Sequence, residues 1–117
     1  MTTYVMVVQS HAPNPEVDAT EYDAWYEHIH IPEVLQLPEF VSAQRFKVAA
    51  LVSGELVHSY LTHYEIEADS AEAARDALVG AAVSGKFNML KDLDTSTMVT
   101  AVYEPLTDRK TKPQAMK

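Results

Sequence analysis

The chain has 117 residues, the size of one domain, and 47% of them are hydrophobic, which is enough to bury a core. Its 17 acidic residues outnumber its 9 basic ones, and the net charge of -8 disfavours binding to nucleic acid or to an anionic membrane surface. Cysteine is absent, which excludes disulfides, thiolate chemistry and cysteine-ligated zinc.

The N-terminal segment predicts a β-strand in a cytoplasmic protein. Met1 leads directly into TTYVMVVQS, which lacks a basic region and a cleavage motif and is too short to span a bilayer. Residues 3–10 are rich in β-branched and aromatic types and predict the first strand. No repeat or low-complexity linker follows, so we expect one domain over residues 1–108 and a polar tail over 109–117.

An amphipathic helix is predicted from Asp18 onward. Asp18 has the chemistry of an N-cap, and Glu21 stands three residues later as its capping-box partner. The apolar stripe recurs at the spacing of one helix face. Its members are Tyr22, Trp25, Tyr26 and Ile29.

Pro32 predicts that this helix ends or kinks near His30. Proline lacks the N–H that would bond to the carbonyl of His28, and it pushes the preceding Ile31 toward extended backbone. The segment PEVLQL is then expected to form a short further turn of helix that Pro32 opens.

Two strands, a helix and a last strand complete the predicted order. Residues 39–51 and 57–68 have strand-like composition. Asp69 and Glu72 form a capping box that opens a helix over SAEAARDALVGAA. Residues 95–106 predict the final strand. The order β-α-β-β-α-β indicates an α+β, ferredoxin-like fold, an antiparallel four-stranded sheet with both helices on one face.

The first and last predicted strands are apolar on both faces, whereas the helices can cover only one face. We therefore expect the uncovered face to pack on a second copy of the chain as a homodimer. A monomer with a more apolar sheet surface is the alternative.

The second predicted helix is rich in alanine, which either lets it approach the sheet closely or leaves a pocket beneath it. The connection over residues 83–95 carries Phe87, Met89 and Leu90 and is placed to roof such a pocket.

His28 and His30 point in different directions on a regular helix, so the pair is not expected to hold a metal, and no metal site is predicted. His28 lies away from the aromatic stripe and is expected to be solvated. His30 neighbours Tyr26 and Glu27 where the helix breaks. His30 is therefore either a general acid or base, or a cap-like residue that holds the C-terminal end of the helix.

The third strand offers further polar groups. Its alternation places one set on a common face, and if that face meets the helices, the set lines the same cavity as His30. Each tyrosine is also compatible with an ordinary core position that satisfies one hydrogen bond. The set comprises His58, Tyr60, Thr62 and Tyr64.

The segment EYDAWYEHIHIPEVLQLPEFVSAQRF resembles EthD-like members of the dimeric α/β-barrel superfamily. Trp25-Tyr26 matches an aromatic pair on the first helix, and His30-Ile31-Pro32 matches a histidine step. Residues 37–46 match an entry into the second strand, with Glu39 where glycine is common. The resemblance covers most of residues 3–104 and implies a dimeric α/β barrel.

The resemblance does not specify a reaction, because the superfamily includes cofactor-free monooxygenases, cyclases, lactone isomerases and dehydratases. It does imply that His30, rather than His28, occupies the recurrent position. The leading hypothesis is therefore a small cofactor-independent enzyme that transfers a proton on a hydrophobic cyclic or aromatic molecule. The alternatives are a non-catalytic small-molecule-binding or accessory homodimer and, third, a purely structural dimer whose polar residues are all satisfied.

Roles within this hypothesis follow from residue type. His30 moves the proton, and Tyr26 or Tyr60 orients a ligand oxygen. The expected substrate-binding residues are Trp25, His58, Tyr64 and Phe87. With only three glycines, the chain shows no phosphate-cradling loop, so no nucleotide cofactor is expected.

Overall fold

The chain folds into a four-stranded antiparallel sheet with helices packed on one face. The structure is a computed structural model, and it describes residues 2–11, 19–90 and 96–113. Within these ranges no helix has the length and apolarity needed to cross a membrane. The elements are β1 (Thr2–Ser10), α1 (Ala19–Trp25), a π-helical turn (Tyr26–His30), α2 (Ile31–Val34), β2 (Phe40–Lys47), β3 (Tyr60–Ala68), α3 (Ala71–Val83) and β4 (Val99–Tyr103).

The strand order across the sheet is β2-β3-β1-β4, with every neighbouring pair antiparallel. β1 and β3 thus lie in the centre of the sheet. Met6 of β1 pairs with Tyr64 of β3 on one side and with Val102 of β4 on the other. This arrangement is ferredoxin-like and confirms the predicted fold class.

The strands are shorter than their apolar composition predicts. β2 ends at Lys47 instead of residue 51, and β3 begins at Tyr60 instead of residue 57. One further bond, from the Val48 N–H to the Ser59 carbonyl, closes the pair, and the residues between them form an exposed loop. β-branched composition alone does not make a strand where no neighbouring backbone pairs with it. Residues 109–113 of the predicted tail are exposed and have no regular structure.

Capping at α3 differs from the prediction. The N-cap is Ser70, whose hydroxyl accepts a hydrogen bond from the Ala73 N–H at 3.0 Å, and not Asp69. Serine and aspartate are both good caps, so sequence spacing does not separate two adjacent candidates. Asp18, the predicted cap of the first helix, lies outside the described residues.

Pro32 widens the first helix without ending it, so the prediction of extended backbone at Ile31 was wrong. Ile31 is helical, with φ -60° and ψ -47°, and its N–H donates to the carbonyl of Tyr26, five residues earlier. Pro32 has no N–H to give to the His28 carbonyl, and the wider turn accommodates this gap in the bonding ladder.

The core lies between the sheet and the helices. From the sheet, Tyr64 and Ile66 are almost fully buried, and Val34 of α2 and Ala74 of α3 meet them from the other side. A second buried cluster, made of aromatic residues, joins α1 to the π turn. It consists of Tyr22, Trp25 and Tyr26.

Truncation of Ile66 tests this packing. Ile66 is 0% exposed, so Ile66→Ala should lower the free energy of unfolding by about 2–5 kcal/mol, through lost burial and a cavity. Val52 is 97% exposed, so Val52→Ala should change the free energy of unfolding by less than about 0.5 kcal/mol. Urea unfolding at equal chain concentration measures both. Equal midpoints for the two variants would contradict this core.

Candidate functional site

A cavity of about 160 Å³ lies between the sheet and the helices, and it contains the groups best suited to chemistry. His30 and Tyr26 reach it from the π turn, Tyr64 from β3, and Phe87 from the segment after α3. The rest of the wall is apolar apart from one threonine. It is formed by Met6, Val8, Val34, Leu78, Ala82, Met89, Met98 and Thr100.

Aromatic rings hold the His30 imidazole in place. It stacks on Trp25 with ring centroids 4.6 Å apart and the planes 14° from parallel. Tyr26 and Phe87 meet it edge to face, with centroids 5.5 Å and 5.6 Å away. Three rings around one imidazole leave it little freedom to rotate, so the direction of its nitrogens is fixed.

His30 Nδ1 is buried and has no hydrogen-bond partner among the described residues. Burial lowers the pKa of His30 below its ordinary value, and this effect outweighs the opposing influence of the Glu33 carboxylate. The imidazole is therefore neutral at pH 7, which is the form that can accept a proton.

The two phenols that line the cavity are also neutral. Burial raises the pKa of Tyr26 well above its ordinary value, and the neighbouring Tyr22 adds to the shift. Burial likewise raises the pKa of Tyr64. Both hydroxyls therefore keep their protons, and a neutral phenol is chemically able to donate to a ligand oxygen, although the Tyr26 hydroxyl already interacts with that of Tyr22. In both cases the charge of Arg45 acts in the opposite direction.

Arg45 is a functional candidate that the sequence analysis did not single out. Its guanidinium carbon lies 4.4 Å from the ring centroid of Tyr26 and 5.4 Å from that of Tyr22. The Asp23 carboxylate holds its Nη1 at 2.9 Å. A β-bulge between Phe40 and Ser42 sets the register that places Arg45 here. Sequence alternation alone carries no signal for such a bulge.

The segment after α3 roofs the cavity, as predicted for residues 83–95, although only its part up to residue 90 is described. Trp25 Nε1 donates to the Asn88 carbonyl at 2.8 Å. The Asn88 N–H and side-chain amide both donate to the Glu33 carboxylate, at 2.9 Å and 2.6 Å. These bonds tie the loop to the first helix and place Phe87 over His30.

The other predicted site residues do not reach this cavity. Trp25 stands behind His30 as its stacking partner. Tyr60 lies near Tyr22 and lines a depression on the outer side of α1, together with His28. His58 precedes β3 and contacts His11, with ring centroids 5.1 Å apart. The structure thus brings Tyr26, His30, Tyr64 and Phe87 together, and places Tyr60 and His58 elsewhere.

His28 is exposed, as expected from its position opposite the aromatic stripe. The described part of the chain contains no group of three or more His, Cys, Asp or Glu side chains placed to share a metal ion.

Comparison with known structures gives the fold. The crystal structure of an ethyl tert-butyl ether D (EthD) family protein from Bacillus halodurans matches with a TM-score of 0.60 over 91% of this chain and 100% of that one, at 15% sequence identity. The chain shares the fold of this EthD family protein. The match confirms the predicted resemblance at the level of the fold. No family model matches the sequence, and no curated protein matches it.

Acid should destabilise the native protein through His30. Because its folded-state pKa is lowered, the unfolded chain binds the proton more readily, and stability falls as the pH drops from about 6.5 through the folded pKa. His30→Gln removes this component, so the variant should lose less stability than wild type between pH 7 and pH 5. Urea unfolding across this range measures the difference. A parallel decline in both proteins would contradict a neutral, buried His30.

Proposed function

We propose that this protein is an EthD family member that transfers a proton on a small hydrophobic ring compound without a cofactor. The observation that carries the proposal is the unpartnered Nδ1 of His30. A buried polar atom without a partner costs about 1–3 kcal/mol, and a ligand that bonds to it recovers this energy. A histidine that only capped the helix end would bond to a backbone carbonyl, and His30 Nδ1 makes no such bond to the residues that the structure describes.

The surroundings of His30 support a role as general base. A neutral imidazole in an apolar cavity accepts a proton from a bound C–H or O–H group. The Tyr26 and Tyr64 hydroxyls can donate to the ligand oxygen where negative charge develops. Arg45 lies behind the Tyr26 ring, with its guanidinium paired to the Asp23 carboxylate. The cavity volume of about 160 Å³ suits one six-membered ring, since an apolar cavity of about 150 Å³ binds benzene.

A generic base-sensitive compound tests this proposal without knowledge of the natural substrate. 5-Nitrobenzisoxazole loses its ring C–H proton to a base, the N–O bond breaks, and the coloured 2-cyano-4-nitrophenolate forms. We expect wild-type protein to accelerate this elimination. His30→Gln keeps hydrogen bonding but not basicity, so it should lower the rate by about 10²-fold, the lower end of the usual contribution of a positioned base.

His28→Gln is the matched control, two residues away on the solvent side, and should retain the wild-type rate. If both variants and wild type catalyse equally while remaining folded, the catalytic proposal fails. Binding of the compound without turnover would then favour the non-catalytic binding module, which the same cavity supports. Phe87→Ala opens the roof and should weaken binding in either case.

We also propose that the chain works as a homodimer through the outer face of its sheet. Val5 and Val7 of β1 point to this face, and Val99 and Tyr103 of β4 are about half exposed beside them. The accessible surface is 8462 Å², against about 6300 Å² for a compact monomer of this mass. A second copy would cover part of this excess, since stable interfaces bury about 800 Å² or more on each partner.

Sedimentation equilibrium at micromolar concentration should give about twice the chain mass of 13.0 kDa. Val7→Lys places a charge at the centre of the outer face and should produce a monomer. Val83→Lys, at a residue of α3 that is 82% exposed, should leave the dimer intact. A monomeric wild-type protein would refute the packing of sheet on sheet.

A further inference from the structure

A second cavity of about 530 Å³ opens between α3 and β4, next to the cavity that holds His30. The two cavities share four lining residues, so they lie side by side. The shared residues are Met6, Leu78, Ala82 and Thr100. We call the 160 Å³ cavity that holds His30 the inner chamber, and the 530 Å³ cavity between α3 and β4 the outer groove.

The outer groove follows from the sequence of α3. Ala71, Leu78 and Ala82 recur on one helix face and turn toward β4. Because two of these three side chains are alanine, the helix leaves space above Thr100 and Val102 in place of filling it. The sequence left open whether the alanines mean close packing or a pocket, and on this face of α3 they border a pocket.

The chemistry of the groove indicates an uncharged occupant. Its floor and walls are mainly apolar, and its charged residues, Glu72 and Arg75, carry opposite signs and lie at exposed positions of α3. Arg75 is already paired with Asp76, at 3.0 Å from its Nε. No net positive charge is therefore left to recognise a carboxylate or a phosphate, and the apolar lining suits an alkyl-like group.

We infer that the ligand has two parts, a single ring bound in the inner chamber beside His30 and an uncharged alkyl-like chain that passes Ala82 into the outer groove. The inference rests on the proposed function for the position of the ring and adds the class of compound. The inner chamber alone is smaller than usual ligand pockets, which span about 300–1,000 Å³, whereas the outer groove lies within that range. A compound that fills both chambers buries more apolar surface than a bare ring can.

The affinities of phenol, 4-propylphenol and 4-hexylphenol test the inference. Trp25 is the only tryptophan of the chain and stacks on His30, so its fluorescence reports a ring in the inner chamber. For wild type, the dissociation constant should fall about fourfold with each methylene that enters the groove, until the groove is filled.

Val79→Phe fills the outer groove from a position of α3 that is 51% exposed, so folding should be preserved. This variant should bind phenol as wild type does and lose the dependence on chain length. Val83→Phe, one turn further along and outside the groove, should behave as wild type. Keeping phenylalanine in both variants leaves Trp25 as the only reporter.

Equal affinity of wild type for all three phenols, an undiminished chain-length effect in Val79→Phe, or no binding of any of them would overturn the two-part ligand. None of these results decides whether His30 accelerates the elimination of nitrobenzisoxazole, which depends on the proton-accepting imidazole and not on an alkyl chain. Conversely, affinity could rise with chain length while the His30→Gln variant still catalyses the elimination at the wild-type rate. That combination would support the two-part ligand and contradict proton transfer by His30.

Discussion

The candidate site depends on one backbone constraint, the missing N–H of Pro32. A regular α-helix would need that N–H to satisfy the His28 carbonyl, and the chain instead widens by one residue so that Ile31 bonds to Tyr26. Residues five apart diverge on an α-helix, at about 100° per residue, but nearly align on a π turn. In this geometry the Trp25 and His30 rings stack with their centroids 4.6 Å apart. The proline therefore sets the direction of the imidazole.

The electrostatics of the site follow from how deeply each group is buried. His30, Tyr26 and Tyr64 lie in an apolar cavity, where burial favours the uncharged form of each. The charge that could stabilise an anion is kept outside, on Arg45, behind the Tyr26 ring and paired with Asp23. A molecule in this cavity would thus meet neutral phenols and a neutral imidazole, with the nearest guanidinium outside the lining and paired to a carboxylate.

The sequence predicted the fold well and the site in part, and the differences have local physical causes. Hydrophobic periodicity identified Tyr22, Trp25 and Tyr26, all of which are buried. The same period placed Ile29 in the stripe, yet Ile29 is 41% exposed, because the extra residue of the π turn moves His30 into its place. Periodicity assumes a regular helix, so it cannot register one inserted residue. Likewise, strand alternation assumes a regular strand, so it could not show that the bulge in β2 turns Arg45 toward the helices.

The division of the cavity between elements separates reactivity from selectivity. The first helix and β3 supply the imidazole and the phenols, whereas α3 with β4 supplies mainly apolar wall, together with Thr100 and the exposed Glu72 and Arg75. The loop that carries Phe87 is tied to the first helix by bonds from Trp25 to Asn88 and from Asn88 to Glu33, none of which involves a side chain of α3. Side chains of α3 can therefore change in size without displacing the imidazole. Under the proposed function, one proton-transfer centre would serve ligands of different length, and the alanines of α3 would determine which length fits.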